Sequence, residues 1–313
     1  MARRDLLSEL ATRRLCCDGA MGTQLLALGL KGCECGMLWN VDRPADVRAI
    51  QDAYRSAGSD LITTNSFGGS SYMLNRHGLV HRVEELNQAA AQIAHAAAGE
   101  TGWVLGDVGP FGDFLEPLGE TTPDQLRDMF HMQIEALLAG GADAILLETM
   151  SDPAEAVVGI EAAKASNPSV PVIVTYAFQK TASDVFRTMM GTSVKEAIQQ
   201  ATDSGAQIVG ANCGTQLDLK DYVELAKQIV AVADHAHVIV QPNGGSPRTE
   251  GDGTFYDATP EQMAATTLQL LAAGVKIVGG CCGTASEHIS AINRAIKSVN
   301  AAHGLRSKTT LSN

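Results

Sequence analysis

The residues with the greatest chemical potential in this chain are three cysteines, Cys213, Cys281 and Cys282. Cys281 and Cys282 are adjacent, and neighbours in a regular strand point to opposite faces. Both can bind one ion only where a strand breaks into a loop, and the flanking Gly279, Gly280 and Gly283 permit that break. Three soft thiolates suit Zn2+, and three protein ligands leave the fourth tetrahedral position open, as catalytic rather than structural zinc requires. The competing reading is that a buried cysteine is a common small hydrophobe, and spacing alone leaves both open. For Cys16 and Cys17, inside an apolar run, the hydrophobic reading is favoured. Cys33 and Cys35 form a Cys-x-Cys with no second pair nearby and read as free thiols.

Two carboxylates stand at comparable places. Glu148 ends the apolar run Ala144-Ile145-Leu146-Leu147, where a buried, unpaired carboxylate would be costly; a salt bridge within the fold and a ligand contact both answer that cost. Asp18 precedes Gly19, and Asp-Gly also simply makes turns. His131 lies mid-helix, far from any strand end, and reads as a surface or packing residue, while His77 and His81 flank a turn and take no role. The segment 181–191, rich in Thr, Ser, Met and Gly, reads equally as a lid or as an exposed loop.

The elements that must position these residues repeat eight times: a short Val/Ile/Leu-rich run, a Gly/Asn/Ser-rich turn, then a longer stretch with helical periodicity. The strands are expected at 14–18, 61–65, 104–108, 144–148, 172–178, 208–212, 238–242 and 277–280. Asp42-Arg43-Pro44, Thr122-Pro123, Asp152-Pro153 and Thr259-Pro260 read as helix starts. Gly58, Gly140-Gly141, Gly205 and Gly274 read as stops. Runs that are apolar throughout fit a parallel sheet covered on both sides. Eight β/α units without a leftover block predict one (β/α)8 barrel over 1–300, followed by a polar tail, 301–313. An open doubly wound sheet is the rival, but its Gly-rich phosphate fingerprint is missing after the first strand, where Asp18-Gly19-Ala20-Met21-Gly22 stands. In a barrel the long connections 24–40 and 243–258 and the polar strand ends converge on one mouth, so Asp18, 64–67, Glu148, Asn212-Cys213, Asn243 and the 279–283 run meet there.

Composition bounds the rest. With 313 residues, 45% of them hydrophobic, the chain can bury a large core. A net charge of −12 without a Lys/Arg cluster argues against nucleic acid. No run of 18 apolar residues suggests a membrane helix, and the first ten residues read as a short lead-in helix rather than a secretory signal. Seven cysteines without such a signal point to a reducing, cytoplasmic setting.

Asp18-Gly-Ala-Met-Gly-Thr, Thr64-Asn-Ser-Phe, Gly109-Pro110, Glu148-Thr, Gly191-Thr, Asn212-Cys213, Pro242-Asn-Gly-Gly and Gly279-Gly-Cys-Cys-Gly-Thr together resemble the homocysteine S-methyltransferase family. Their order and spacing match from about residue 10 to 297, and the last motif is highly specific. Within the family the chain is similar to the homocysteine-binding barrel of cobalamin-dependent methionine synthase. The resemblance implies a zinc site of Cys213, Cys281 and Cys282 with the substrate sulfur as fourth ligand. It implies that Glu148 and Asp18 meet the substrate's amino group, and that backbone amides around Ala20–Met21 and Ser66–Phe67 meet its carboxylate. One departure borders the zinc: Cys213 is followed by Gly214-Thr-Gln-Leu-Asp, where the synthase barrel usually has Ser or Ala, Leu and Gly-Pro.

A free thiol with a pKa of about 8.5 is only a few per cent thiolate at neutral pH, so zinc coordination would remove a barrier of roughly 2 kcal/mol. The methyl donor is then methylcobalamin on a separate corrinoid protein, or a small onium compound such as S-methylmethionine or betaine. An onium cation needs an aromatic cage; aromatic residues make up 4% of the chain, which favours the corrinoid protein. Two rival readings are a corrinoid-system demethylase running the transfer towards cob(I)alamin, and a zinc or thiol binder without turnover. Gene neighbourhood discriminates the first, and the presence of Asp18 and Glu148 argues against the second.

Overall fold

The computed structural model describes residues 5–250 and 253–310. Its centre is a parallel sheet of eight strands: β1 (Leu15–Cys16), β2 (Leu61–Thr63), β3 (Trp103–Val108), β4 (Ala144–Met150), β5 (Val172–Tyr176), β6 (Ile208–Asn212), β7 (His237–Gln241) and β8 (Ile277–Val278). From β2 to β8 the strands neighbour one another in chain order. β8 returns to β1 with Ile277 opposite Leu15, and a parallel bridge between Cys17 and Leu61 joins β1 to β2. The ring is closed, and the expected (β/α)8 barrel stands over the open sheet.

Strand alternation explains the apolar runs. Leu61, Leu105, Leu146, Ile173, Ile239 and Ile277 face inward and form one buried cluster. Their neighbours Ile62, Val104, Ile145, Val172 and Val174 face outward into the larger core beneath the helices. The lead-in helix Leu6–Thr12 belongs to the inner cluster: Leu6 and Leu10 close the end of the barrel away from the mouth.

The helices begin largely where the Pro pairs predict. Thr122 and Thr259 form capping boxes with Gln125 and Gln262, and Asp152 accepts from the Ala154 amide. At Asp42 the outcome differs. That residue ends the short helix Trp39–Asp42, and the next helix, Pro44–Ala57, starts from Arg43 with no side-chain cap. The Arg43 guanidinium instead stacks 3.6 Å from the Trp39 ring centroid and pairs with Asp46 at 2.6 Å.

Three differences at strand ends shape the mouth. β8 stops at Val278, two residues early, where the glycines turn away. β5 stops at Tyr176, and Phe178–Lys180 pairs antiparallel with Phe186–Thr188, so the segment 181–191 is mostly the tip and second strand of a hairpin. β4 runs two residues past Glu148 through a bulge between Leu147 and Met150, a device that bends a strand and re-aims its side chains. The first long connection folds into the helices Gly22–Ala27 and Trp39–Asp42, and the second carries the hairpin Arg248–Glu250 with Gly253–Phe255. The last helix, Ser286–Thr310, takes up the first ten residues expected as a tail; 311–313 lie outside the described residues. Among the described residues no helix is long and apolar enough to cross a membrane.

Candidate metal centre and substrate site

Cys213 follows β6 at a φ of +50°, an uncommon conformation for a residue with a side chain. Two neighbours hold it there. The Tyr222 hydroxyl, from the helix Leu219–Val232, donates to the Cys213 carbonyl, and the Asn243 amide donates to that hydroxyl at 3.4 Å. Gly214 completes the turn at a φ of +90°, where a Cβ would stand 2.6 Å from the Phe178 carbonyl. The Cys281–Cys282 loop is tethered on every side. Its Cys281 amide donates to the Pro242 carbonyl at 2.8 Å, and the Cys282 carbonyl accepts from the Gly244 amide at 2.8 Å. Thr284 Oγ1 donates to the Cys281 carbonyl at 2.7 Å.

These restraints bring the three Sγ atoms within 4.8 Å of one another, with Cys281 and Cys282 4.0 Å apart. Zinc binds sulfur at about 2.3 Å, so tetrahedral geometry places its sulfurs about 3.8 Å apart. The donor set and its spacing therefore fit one thiophilic ion after a small contraction. No other His, Cys, Asp or Glu group among the described residues gathers in this way. Hydrogen bonds from Cys213 and Cys281 pull the Cys282 thiol down to about 3, while Cys213 is pushed up to about 11 and Cys281 well above the ordinary range, so by themselves the three share a single negative charge and a cation is needed to ionise them all.

The expected carboxylates lie at the same mouth. Asp18 is buried and accepts from the Thr63 amide at 2.7 Å and the Thr63 hydroxyl at 2.8 Å. Burial still pushes its carboxyl up to about 6. Glu148, half-buried beside the β4 bulge, is pushed up to about 8 by burial and then by the charges of Asp18 and Cys282. Thr149, at a φ of +62°, is fixed by Asn212, whose Oδ1 accepts from its amide at 3.0 Å and whose Nδ2 donates to its hydroxyl at 2.7 Å. The same Nδ2 lies 3.7 Å from Cys281 Sγ, so one asparagine ties the carboxylate strand to the thiolates.

Of the four amide positions, two are already engaged. The Ala20 amide donates to Thr284 Oγ1 at 3.2 Å, and the Ser66 amide to the Thr64 carbonyl at 3.0 Å. The amides of Met21 and Phe67 have no protein acceptor among the described residues. Phe67 is exposed and Met21 half-buried.

A family model for homocysteine S-methyltransferase matches residues 15–296. The chain belongs to the homocysteine S-methyltransferase family. It is 32% identical over 314 residues to the methionine synthase of Mycobacterium tuberculosis (strain ATCC 25618 / H37Rv), covering 94% of this chain and 26% of that protein. Identity to the methionine synthase of Mycobacterium leprae (strain TN) is also 32%, over 317 residues, 95% of this chain and 25% of that protein. The chain thus spans about a quarter of these relatives. The metallated form of the homocysteine methyltransferase MmuM from Escherichia coli superposes with a TM-score of 0.73 at 23% identity, over 92% of this chain and 99% of that one. At that identity the likeness shows a shared fold.

All eight strands, the three cysteines and both carboxylates of this family member lie within the matched region. Several neighbours of the site escaped sequence reasoning. Thr284 links the cysteine loop to the Ala20 amide, Tyr222 holds Cys213, and Tyr256 hydrogen-bonds Cys282 while packing on Gly283. Asp107, at the end of β3, is buried beside Glu148 and Asp18. Only the last carried a usable signal, an acid closing an apolar strand. The remaining expectations fall away from the site: Cys16 and Cys17 are buried core residues, Cys35 is buried and Cys33 exposed. His131 is a packing residue bonded to Ser166 at 2.8 Å, and His77 and His81 are exposed.

Proposed function

We propose that this chain is a zinc-dependent S-methyltransferase that converts homocysteine to methionine, taking the methyl group from methylcobalamin on a separate corrinoid protein in a reducing, cytoplasmic setting. The observation that carries the reading is the gathering of Cys213, Cys281 and Cys282 within 4.8 Å at the mouth that also holds Asp18 and Glu148. Zinc held by the three cysteines supplies a soft Lewis acid that keeps a substrate thiol ionised at neutral pH. Glu148 and Asp18 receive the ammonium group, whose charge relieves their mutual repulsion and favours their ionised forms. The Met21 and Phe67 amides receive the carboxylate. Methyl transfer is a displacement at carbon, so the barrel contributes chiefly orientation.

The resemblance to the methionine synthase barrel, with its 32% identity, supports a corrinoid donor. A second reading rests on a feature that the 4% aromatic content concealed. Phe67, Phe114 and Phe255 are exposed on the connections that leave the carboxyl ends of β2, β3 and β7, which also suits an onium donor.

Metal analysis is expected to find one zinc per chain, with Cys281→Ser lowering both zinc content and turnover. Retention of zinc at unchanged affinity by the triple Cys→Ser variant would refute the site. Glu148→Ala should leave zinc unchanged and raise the homocysteine KM by about tenfold or more; an unaltered KM would make Glu148 structural. Methylcobalamin on a carrier should outpace both free methylcobalamin and onium compounds. Efficient turnover with betaine or S-methylmethionine without cobalamin selects the second donor and leaves the thiol site intact.

A further inference from the structure

Asp107 is a buried carboxyl that nothing in the fold accounts for. It is 3% exposed. Its backbone is pinned on both sides, the amide donating to Thr64 Oγ1 at 2.8 Å and the carbonyl accepting from Ser66 Oγ at 2.6 Å. Its Oδ1 is buried with no hydrogen-bond partner among the described residues. Trp103 and Leu105, four and two residues earlier on β3, belong to the inner cluster, so strand alternation sends Asp107 towards the barrel axis one layer above Leu105. On β4, Leu146 is its register partner and also faces inward, which sets Glu148 beside Asp107 at the same mouth.

Three carboxylates, Asp18, Asp107 and Glu148, therefore share one space. Burial, and then the charges of Glu148 and Asp18, push the Asp107 carboxyl well above its ordinary range, and burial and Asp18 do the same to Glu148. Among the described residues none of the three forms an ion pair, so each lacks the positive partner that would favour its ionised form. A buried carboxylate without a partner is costly. A fold that needed only shape at this position would be served equally by a neutral side chain. The geometry instead suits a cation that arrives from outside, through the mouth at which Glu148 is half-exposed.

We propose that Asp107 is a third anionic contact for the acceptor's ammonium group, and that it sets the preference of the site for thiols that carry an α-amine. This rests on the reading of homocysteine as acceptor. Two carboxylates already meet that group's charge, and the third adds depth: it draws the ammonium inward from Glu148, and with it fixes the reach of the thiol towards the cysteines. A thiol without the amine gains nothing from Asp107 and meets its repulsion through its own carboxylate.

The test is calorimetric binding of homocysteine and of 4-mercaptobutyrate, the same molecule without the amine, to zinc-loaded protein. The wild type should prefer homocysteine. Asp107→Asn, which keeps the shape and removes the charge, should weaken homocysteine by about tenfold or more and leave 4-mercaptobutyrate equal or tighter. Its Tm should not fall, because the carboxyl replaced has no partner in the fold to lose, and its zinc content should be unchanged. Asp107→Ser provides a second variant with the same expected change in preference. Retention of the homocysteine preference by both variants would overturn the role of Asp107 while the acceptor reading stands. Equal weakening of both ligands with a lower Tm would overturn it in favour of a structural residue. A wild type that does not distinguish the two thiols refutes the ammonium site itself, and this inference with it.

Discussion

At the scale of single residues, this barrel holds several carboxyl groups above their ordinary range, and Glu155 isolates the consequence because it lies away from the thiolates. It sits in the first turn of the helix Pro153–Ser166, is 4% exposed, and accepts from the Phe111 amide at 2.7 Å. Burial pushes its carboxyl from 4.5 up to about 8, with that hydrogen bond acting against the shift. Below the unfolded value both states hold the proton and there is no effect. Between 4.5 and about 8 the unfolded chain loses a proton that the folded one keeps, so stability falls as pH rises. Glu155→Gln preserves the acceptor for Phe111 and removes the titration. It should flatten the decline and gain on the order of a few kcal/mol on the wild type at pH about 9 relative to pH about 4. Denaturant unfolding across that range checks this; parallel curves for the two proteins would count against it.

At the scale of elements, the thiolates depend on pieces of chain that do not carry them. Tyr222 belongs to the helix after Cys213, yet its hydroxyl holds the Cys213 carbonyl and accepts from the Asn243 amide. The hairpin after β5 meets the Cys213 loop through a bridge between Gln179 and Thr215. Gly214-Thr-Gln-Leu-Asp, the stretch in which this chain departs from the synthase pattern, is thus the stretch that packs under the hairpin. Tyr222→Phe keeps the ring and orphans two buried backbone groups. It should cost about 1–3 kcal/mol of stability and weaken zinc by about tenfold or more. Chelator competition reads the affinity; an unchanged value would show that the cysteine turn holds itself.

At the scale of the whole molecule, stability and chemistry occupy opposite ends of the barrel. The mouth collects thiolates, carboxylates and strained turns such as Cys213 and Thr149, while the far end is sealed by the helix Leu6–Thr12 with Leu10 fully buried. Leu10→Ala should cost about 2–5 kcal/mol, yet leave zinc stoichiometry and the homocysteine KM unaltered at temperatures where the protein stays folded. Thermal unfolding with metal analysis tests the separation. Loss of zinc in step with stability would show that the two ends are coupled.

The barrel was legible in the sequence because its causes are local and repeated. Val/Ile/Leu runs recur eight times, punctuated by Thr-Pro and Asp-Pro starts and glycine stops, and each of these signals reports on a few neighbouring residues. Cys281 and Cys282 were legible as a candidate pair because glycines on either side permit a broken strand, and Cys213 because it also follows a strand. What the chain alone withheld depends on partners distant in sequence. The bulge that sets Glu148 at the mouth comes from the register of β4 against β5. The engagement of the Ala20 amide by Thr284 joins residues 264 apart. A total aromatic content says nothing of which rings are left exposed, and an aspartate near the end of a strand does not reveal that Asp107 is left unpartnered. Periodicity places a side chain on the inner face of a barrel; only the closed structure decides what it finds there.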